Sequence, residues 1–205
     1  MPPVPVGSEG RVDLHQPASV DRLRTVPGVL TCPAMQGVFL ISAILLSLSG
    51  GAKLADPAPT SGALAAAGLP SATVWARLLG GLEVVIAAVA LTAGGAVGGA
   101  AVAVIYGAFA GFVLVALRRD LPIQSCGCFG KVDTPPSMLH VVADVVAACS
   151  GVWVAVTGTG GLAAALEGQP LLGLPYLALL GIGVAALYLI LAELPRLTRL
   201  TTGTA

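Results

Sequence analysis

The chain has 205 residues, of which 56% are hydrophobic and only 10% are charged. Soluble domains carry about 25% charged residues, so a chain with a mean hydropathy of +0.94 has no means of building a hydrated exterior, and disorder is excluded because disordered chains are polar. Ten basic residues balance ten acidic ones, so no basic excess exists to attract nucleic acid. The composition specifies a polytopic membrane protein whose first partner is the lipid bilayer.

Charge placement divides the chain. Residues 1–33 hold six of the twenty charges and 193–205 hold three. Residues 1–33 are polar, contain proline and lack an early apolar core, so they read as a flexible tail and not as a cleavable signal peptide. Five apolar stretches follow, at 34–52, 75–94, 96–117, 138–157 and 171–192. Each approaches the roughly 20 residues that a helix needs to cross about 30 Å of hydrocarbon. They are continuously apolar and rich in Ala and Leu, without the alternation of barrel strands, so the expected class is all-α.

The second stretch contains Arg77 near its start and Glu83 inside, and the fourth contains His140, Asp144 and, near its middle, Cys149. Cys149 reads as a small apolar filler of the core. Gly107 and Gly111 in the third stretch form a small-xxx-small pair, which predicts close helix contact there. Thr92 to Gly99 reads TAGGAVGG and predicts a tight hairpin, residues 157–170 read as a Gly-rich loop, and Pro175 falls in the first turn of the fifth span, where a missing N–H costs little.

Alternating span direction sorts the polar residues onto two sides. With the tail on side A, Lys53, Arg77, Arg118, Arg119, Lys131, Arg196 and Arg199 belong to side B, and only Arg11, Arg22 and Arg24 to side A. Seven against three places side B in the cytoplasm by the positive-inside rule. Glu83 and Asp144 lie about 12 Å and 9 Å in from side B at 1.5 Å per residue. His140 is in the first turn of its span, and Cys126 and Cys128 sit in the 118–137 loop on that same side.

Cys126-Gly127-Cys128 permits a small, strained disulfide ring, and strained, exposed disulfides are the labile and oxidising ones. Arg118, Arg119 and Lys131 nearby favour the reactive thiolate. Inert loop thiols and half a metal site are the alternatives, but two Cys and one nearby His do not complete a tetrahedral zinc site. Cys32 lies across the bilayer from this pair. His140 and Asp144 are four apart and share a helix face. A carboxylate at that depth costs a few kcal/mol unless paired or protonated, and His140, Arg77 and Lys53 are its candidate partners. These groups and Glu83 read either as a proton relay beside the thiols or as interhelical hydrogen bonds.

Three blocks carry a resemblance: SGGAKLADP at 49–57, ARLLGGLEVV at 76–85 and SCGCFG at 125–130. Over residues 34–157 the chain resembles the methylamine-utilisation MauE family, within the wider DoxX-like group of small four-helix membrane proteins. The resemblance implies a four-helix bundle, here extended by the 1–33 tail and by a fifth transmembrane helix within 158–205. It also implies a membrane protein that helps mature the disulfide-rich small subunit of methylamine dehydrogenase, a task outside the cytoplasm, with Cys126 and Cys128 as the redox pair. Lys53 and Glu83 match family positions. Ala143 stands where the family often carries Arg, while Asp144 keeps the neighbouring polar position. The vitamin K epoxide reductase group is also similar in outline, but its Cys-x-x-Cys is missing.

The expected function is thus a thiol–disulfide redox protein of a bacterial inner membrane that supports disulfide formation or maturation of a partner, with enzymatic oxidoreductase activity an open alternative. Its candidate site residues are Cys126, Cys128, His140, Asp144 and Glu83. A thioredoxin-like protein or a client subunit is the expected partner, and a quinone is the one cofactor its chemistry suggests, although no cofactor motif is present. A non-catalytic assembly factor and a small ion-coupled transporter are the competing readings. The transporter lacks the inverted repeat that would support it.

Overall fold

The computed structural model describes residues 33–121, 136–167 and 169–202, with side chains for all of these but 33, 172 and 192–202. Residues 1–32, with Cys32, and residues 122–135, with Cys126, Cys128 and Lys131, lie outside the described residues.

Five long helices carry the five apolar stretches: α1 (Pro33–Ala55), α3 (Thr73–Thr92), α4 (Gly95–Arg118), α5 (Met138–Thr157) and α7 (Leu174–Thr202). All five are long and apolar enough to cross a membrane, α7 over Leu174–Leu191. The expected all-α, polytopic architecture is thus observed. Two short helices join them, α2 (Ala58–Ala66) and α6 (Leu162–Leu166), with a 3-10 turn at Pro170–Gly173. Neither short helix was anticipated. The start of α2 nevertheless has a local cause: the Asp56 carboxylate accepts the Ala58 N–H at 3.1 Å, and Pro57 precedes the first turn.

The four helices α1, α3, α4 and α5 close a ring, with α1 and α4 each packed against both α3 and α5. Phe39, Leu40 and Leu46 of α1, Val102 of α4 and Val154 of α5 are buried at its centre. Helix α7 stands outside this ring against α1. Outward faces carry Val97, Val104, Val156, Leu179 and Ile182, all exposed. A bundle apolar on its outside as well as its inside fits lipid and not water.

The alternation of spans is also visible. Gly94, in the turn between α3 and α4, bridges Gly160, which follows α5. The Gln36 amide, at the start of α1, donates to the Gly160 carbonyl at 3.4 Å. These three segments form one end of the bundle, as side A requires.

The close helix contacts are not where the small-residue pair predicted. Gly107 and Gly111 are exposed, and a Cβ on either would meet nothing within 4 Å. The tight crossing of α4 and α5 runs instead through Gly99 and Gly151, where a Cβ on Gly151 would stand 2.7 Å from both the Ala103 nitrogen and the Gly99 oxygen. Cys149 is likewise exposed on the lipid side of α5 and is not a core filler. We expect Gly151→Ala to lower stability by about 1–3 kcal/mol, because backbone must shift to admit the methyl. Gly111→Ala should leave thermal unfolding in detergent within about 0.5 kcal/mol of the parent. Equal melting of the two variants would contradict this assignment of the crossing.

Candidate functional site

The ion pair at the heart of the bundle is a product of two glycines. Helices α1 and α3 cross where Gly50 meets Gly80: a Cβ on Gly50 would lie 2.5 Å from the Gly80 carbonyl oxygen, and one on Gly80 would lie 2.8 Å from that of Gly50. Only bare backbone permits this approach. Three residues further along each chain, on the same helix face, come Lys53 and Glu83. The Lys53 ammonium lies 2.9 Å from each carboxylate oxygen of Glu83 and donates a hydrogen bond to Oε2, and it donates to Ser49 Oγ at 2.6 Å. Both side chains are buried, Glu83 fully. Each charge therefore serves as the other's principal compensation in a medium that solvates neither. Lys53 Nζ also stands over the Phe109 ring, 5.6 Å from its centroid, a cation–π distance.

Because α3 begins at Thr73, Glu83 lies ten residues in, about 15 Å at 1.5 Å per residue. It is nearer mid-membrane than the sequence count indicated. Lys53, one of the candidate partners of Asp144, is engaged by Glu83, and Arg77, another, is exposed. Lys53 thereby leaves the tally of cations flanking the spans, and side B keeps six against three.

His140 is set by the start of α5. Ser137, extended at φ −143°, precedes the helix, and its hydroxyl lies 2.8 Å from His140 Nδ1. That contact turns the ring, and its Nε2 is buried with no hydrogen-bond partner among the described residues. One turn later, Asp144 joins His140 on the wall of a cavity of about 40 Å³. Ser42 and Ser49 of α1 and Tyr106 of α4 add polar groups to that wall, and Leu187 and Leu191 of α7 close it. Tyr106 is fixed by donating its hydroxyl proton to the Ser42 carbonyl at 2.7 Å. The space and the polar lining suit one or two buried waters.

Ser49 contacts both arrangements. It accepts from Lys53 and it lines the cavity that His140 and Asp144 share. Glu83, His140 and Asp144 are thus brought to one polar seam inside the bundle. Ser42, Ser49 and Lys53, spaced seven and four along α1, supply its first wall. The serines and Tyr106 were not singled out in the sequence. The signal for the serines was this common face of α1, which a reading of charges alone passes over, whereas Tyr106 stands on α4 and had no such signal. Among the described residues no three His, Cys, Asp or Glu side chains gather as a metal site would require.

The end of α4 determines how the chain leaves the bundle toward Cys126 and Cys128. Asp120 takes a left-handed conformation, φ +46°, and the Leu121 N–H returns to the Ala116 carbonyl at 3.1 Å. This is a Schellman-type stop, whose usual apolar contact is also present, because Leu121 packs on the buried pair Ala63 and Ala116. The described residues resume at Pro136, and Ser137 stands three residues before His140. The sulfurs themselves lie outside the described residues.

A family model described as methylamine utilisation protein MauE matches residues 32–158. The chain belongs to the MauE family. The match spans α1 to α5 and so takes in Ser49, Lys53, Glu83, His140, Asp144 and the Cys-Gly-Cys turn, while α6 and α7 lie beyond it. MauE membership makes this a multi-pass membrane protein associated with methylamine utilisation. No curated protein and no solved structure matches the chain.

Proposed function

We propose that this protein is a membrane thiol–disulfide redox protein of the MauE type, which supports disulfide formation in a client such as a subunit of methylamine dehydrogenase. Cys126 and Cys128 are the redox pair. In each cycle the client loses two thiol hydrogens as its S–S bond forms, and the Cys126–Cys128 disulfide takes up the two electrons and two protons. Glu83, His140 and Asp144 hold or pass protons behind that exchange. A bacterial inner membrane is the corresponding location.

The observation that carries the reading is the polar seam. A soluble redox loop needs nothing beneath it, whereas here Lys53, Glu83, His140 and Asp144 are drawn into the interior, and two of the four are on the helix that follows the Cys-Gly-Cys loop. Ionisable groups inside a membrane are costly and mark function more often than packing. The test is client disulfide formation in cells carrying Cys126→Ser or Cys128→Ser, with background-level maturation expected from each.

Sidedness is a separate prediction. Direct exchange with a client whose disulfides form outside needs the 118–137 loop outside, whereas six cations on side B assign it to the cytoplasm, where the pair would reach that client only through a partner that carries electrons across the membrane. A membrane-impermeant maleimide should then label Cys126 and Cys128 only after the cells are opened. Labelling in intact cells would place the loop outside, on the face where the client's disulfides form.

A further inference from the structure

A second cavity, separate from the one beside His140, lies under α2. It has a volume of about 190 Å³ and is walled almost wholly by carbon: Ala63 and Leu64 of α2, Leu79 of α3, and Phe109, Phe112 and Val113 of α4. Two polar side chains interrupt that lining, Lys53 and Thr60, and both are buried. Ala108 lies at its rim and is exposed on the outer face of α4, so the mouth opens to the bilayer. We infer that this cavity binds the ring of a lipid-soluble quinone.

Size comes first. An apolar cavity of about 150 Å³ admits benzene, so a substituted six-membered ring fits here and a bulky headgroup does not. Chemistry comes second. An ammonium has three donors. Lys53 gives one to Ser49 Oγ and one to Glu83 Oε2, while Glu83 Oε1 lies off any hydrogen-bond line. The third donor is left for a ligand oxygen, and the contacts with Ser49 and Glu83 hold the Lys53 head group in place at the cavity wall. Phe109 and Phe112 offer flat apolar surface to a ring. An acyl chain has the apolarity for this cavity but no oxygen to meet Lys53, and a water-borne anion has no route through the lipid-facing mouth. A planar, uncharged molecule with ring carbonyls satisfies both conditions.

This inference rests in part on the redox reading above, and it supplies the oxidant that reading requires. The two thiols of Cys126 and Cys128 lose two electrons and two protons and form an S–S bond; the quinone gains both and becomes the quinol. Leu121, the last described residue before the Cys-bearing stretch, lies in one cluster with Ala63 and Phe112, both of which line this cavity.

The test uses the full chain in lipid nanodiscs and duroquinone as probe, with binding followed by quenching of Trp fluorescence. Saturable one-to-one binding is expected. Ala108→Phe obstructs the mouth from an exposed position that folding does not depend on, and should weaken binding roughly ten-fold or more. Thr60→Val tests the hydroxyl and should weaken it roughly three- to ten-fold. No saturable binding, or equal binding by the parent and Ala108→Phe, overturns the inference, because partition into lipid is then the whole signal. The doubly substituted Cys126→Ser/Cys128→Ser protein separates binding from electron transfer. Binding to both proteins, with no quinol formed by the pre-reduced parent, leaves the quinone site standing and removes the thiol reading.

Discussion

Serine at either Cys126 or Cys128 should reduce client disulfide formation to the uncatalysed background, and the two single variants should be equally inactive. The proposed oxidised form is the bond between these two sulfurs, so losing either one removes it whole and not by half. The remaining thiolate can still attack a partner's existing disulfide, releasing one partner thiol, but lacks the second sulfur that would resolve the product. A single variant should therefore accumulate as a mixed disulfide with its partner, visible on a non-reducing gel and abolished in the double variant. Normal client maturation in both single variants would instead assign the protein to the assembly factors, which hold a subunit without chemistry. Thermal unfolding of each variant, measured beside client maturation, separates loss of chemistry from loss of the fold.

The second large effect concerns Lys53 and Glu83. Lys53→Met alone leaves the Glu83 carboxylate buried without its cation, which costs about 3–5 kcal/mol and should sharply lower the folded yield. Replacing both, as Lys53→Met with Glu83→Leu, removes the uncompensated charge, and replacements of this kind are often neutral or stabilising. The double variant should therefore melt near the parent. If the pair serves only to hold α1 against α3, client maturation should return with stability. If it serves the proposed proton and quinone chemistry, the refolded double variant should remain inactive and should have lost duroquinone binding. The second outcome is expected, because the glycine crossing at Gly50 and Gly80 already brings the helices together without help from charge.

Much of this was legible before any coordinates. Span number, direction and class follow from where charges are absent, because a membrane admits few solutions to backbone hydrogen bonding. Glu83, His140 and Asp144 could be assigned to one interior because each is too costly to face lipid. Pairing was not legible. Lys53 was weighed as a partner for Asp144, while the crossing point that commits it to Glu83 depends on which of many small residues touch. Small-xxx-small spacing occurs at 107 and 111 as well as at 99 and 103, and spacing alone does not say which face turns inward. Gly107 and Gly111 failed on that point, as did Cys149. Helix α2 was missed for a different reason: nine residues are too few for periodicity to register, although Asp56 and Pro57 mark its start. The two cavities are products of packing between four or five segments, and no single segment encodes them.

Helix α7 deserves a last thought about insulation. It is the least buried of the five spans and touches chiefly α1, yet its Leu187 and Leu191 complete the wall around His140 and Asp144. The most lightly anchored element thus keeps the hydrocarbon apart from the most polar interior. Changes in lateral pressure or bilayer thickness will act on that wall before they strain the four-helix ring, so the local permittivity around His140 and Asp144 is tied to the state of the surrounding lipid.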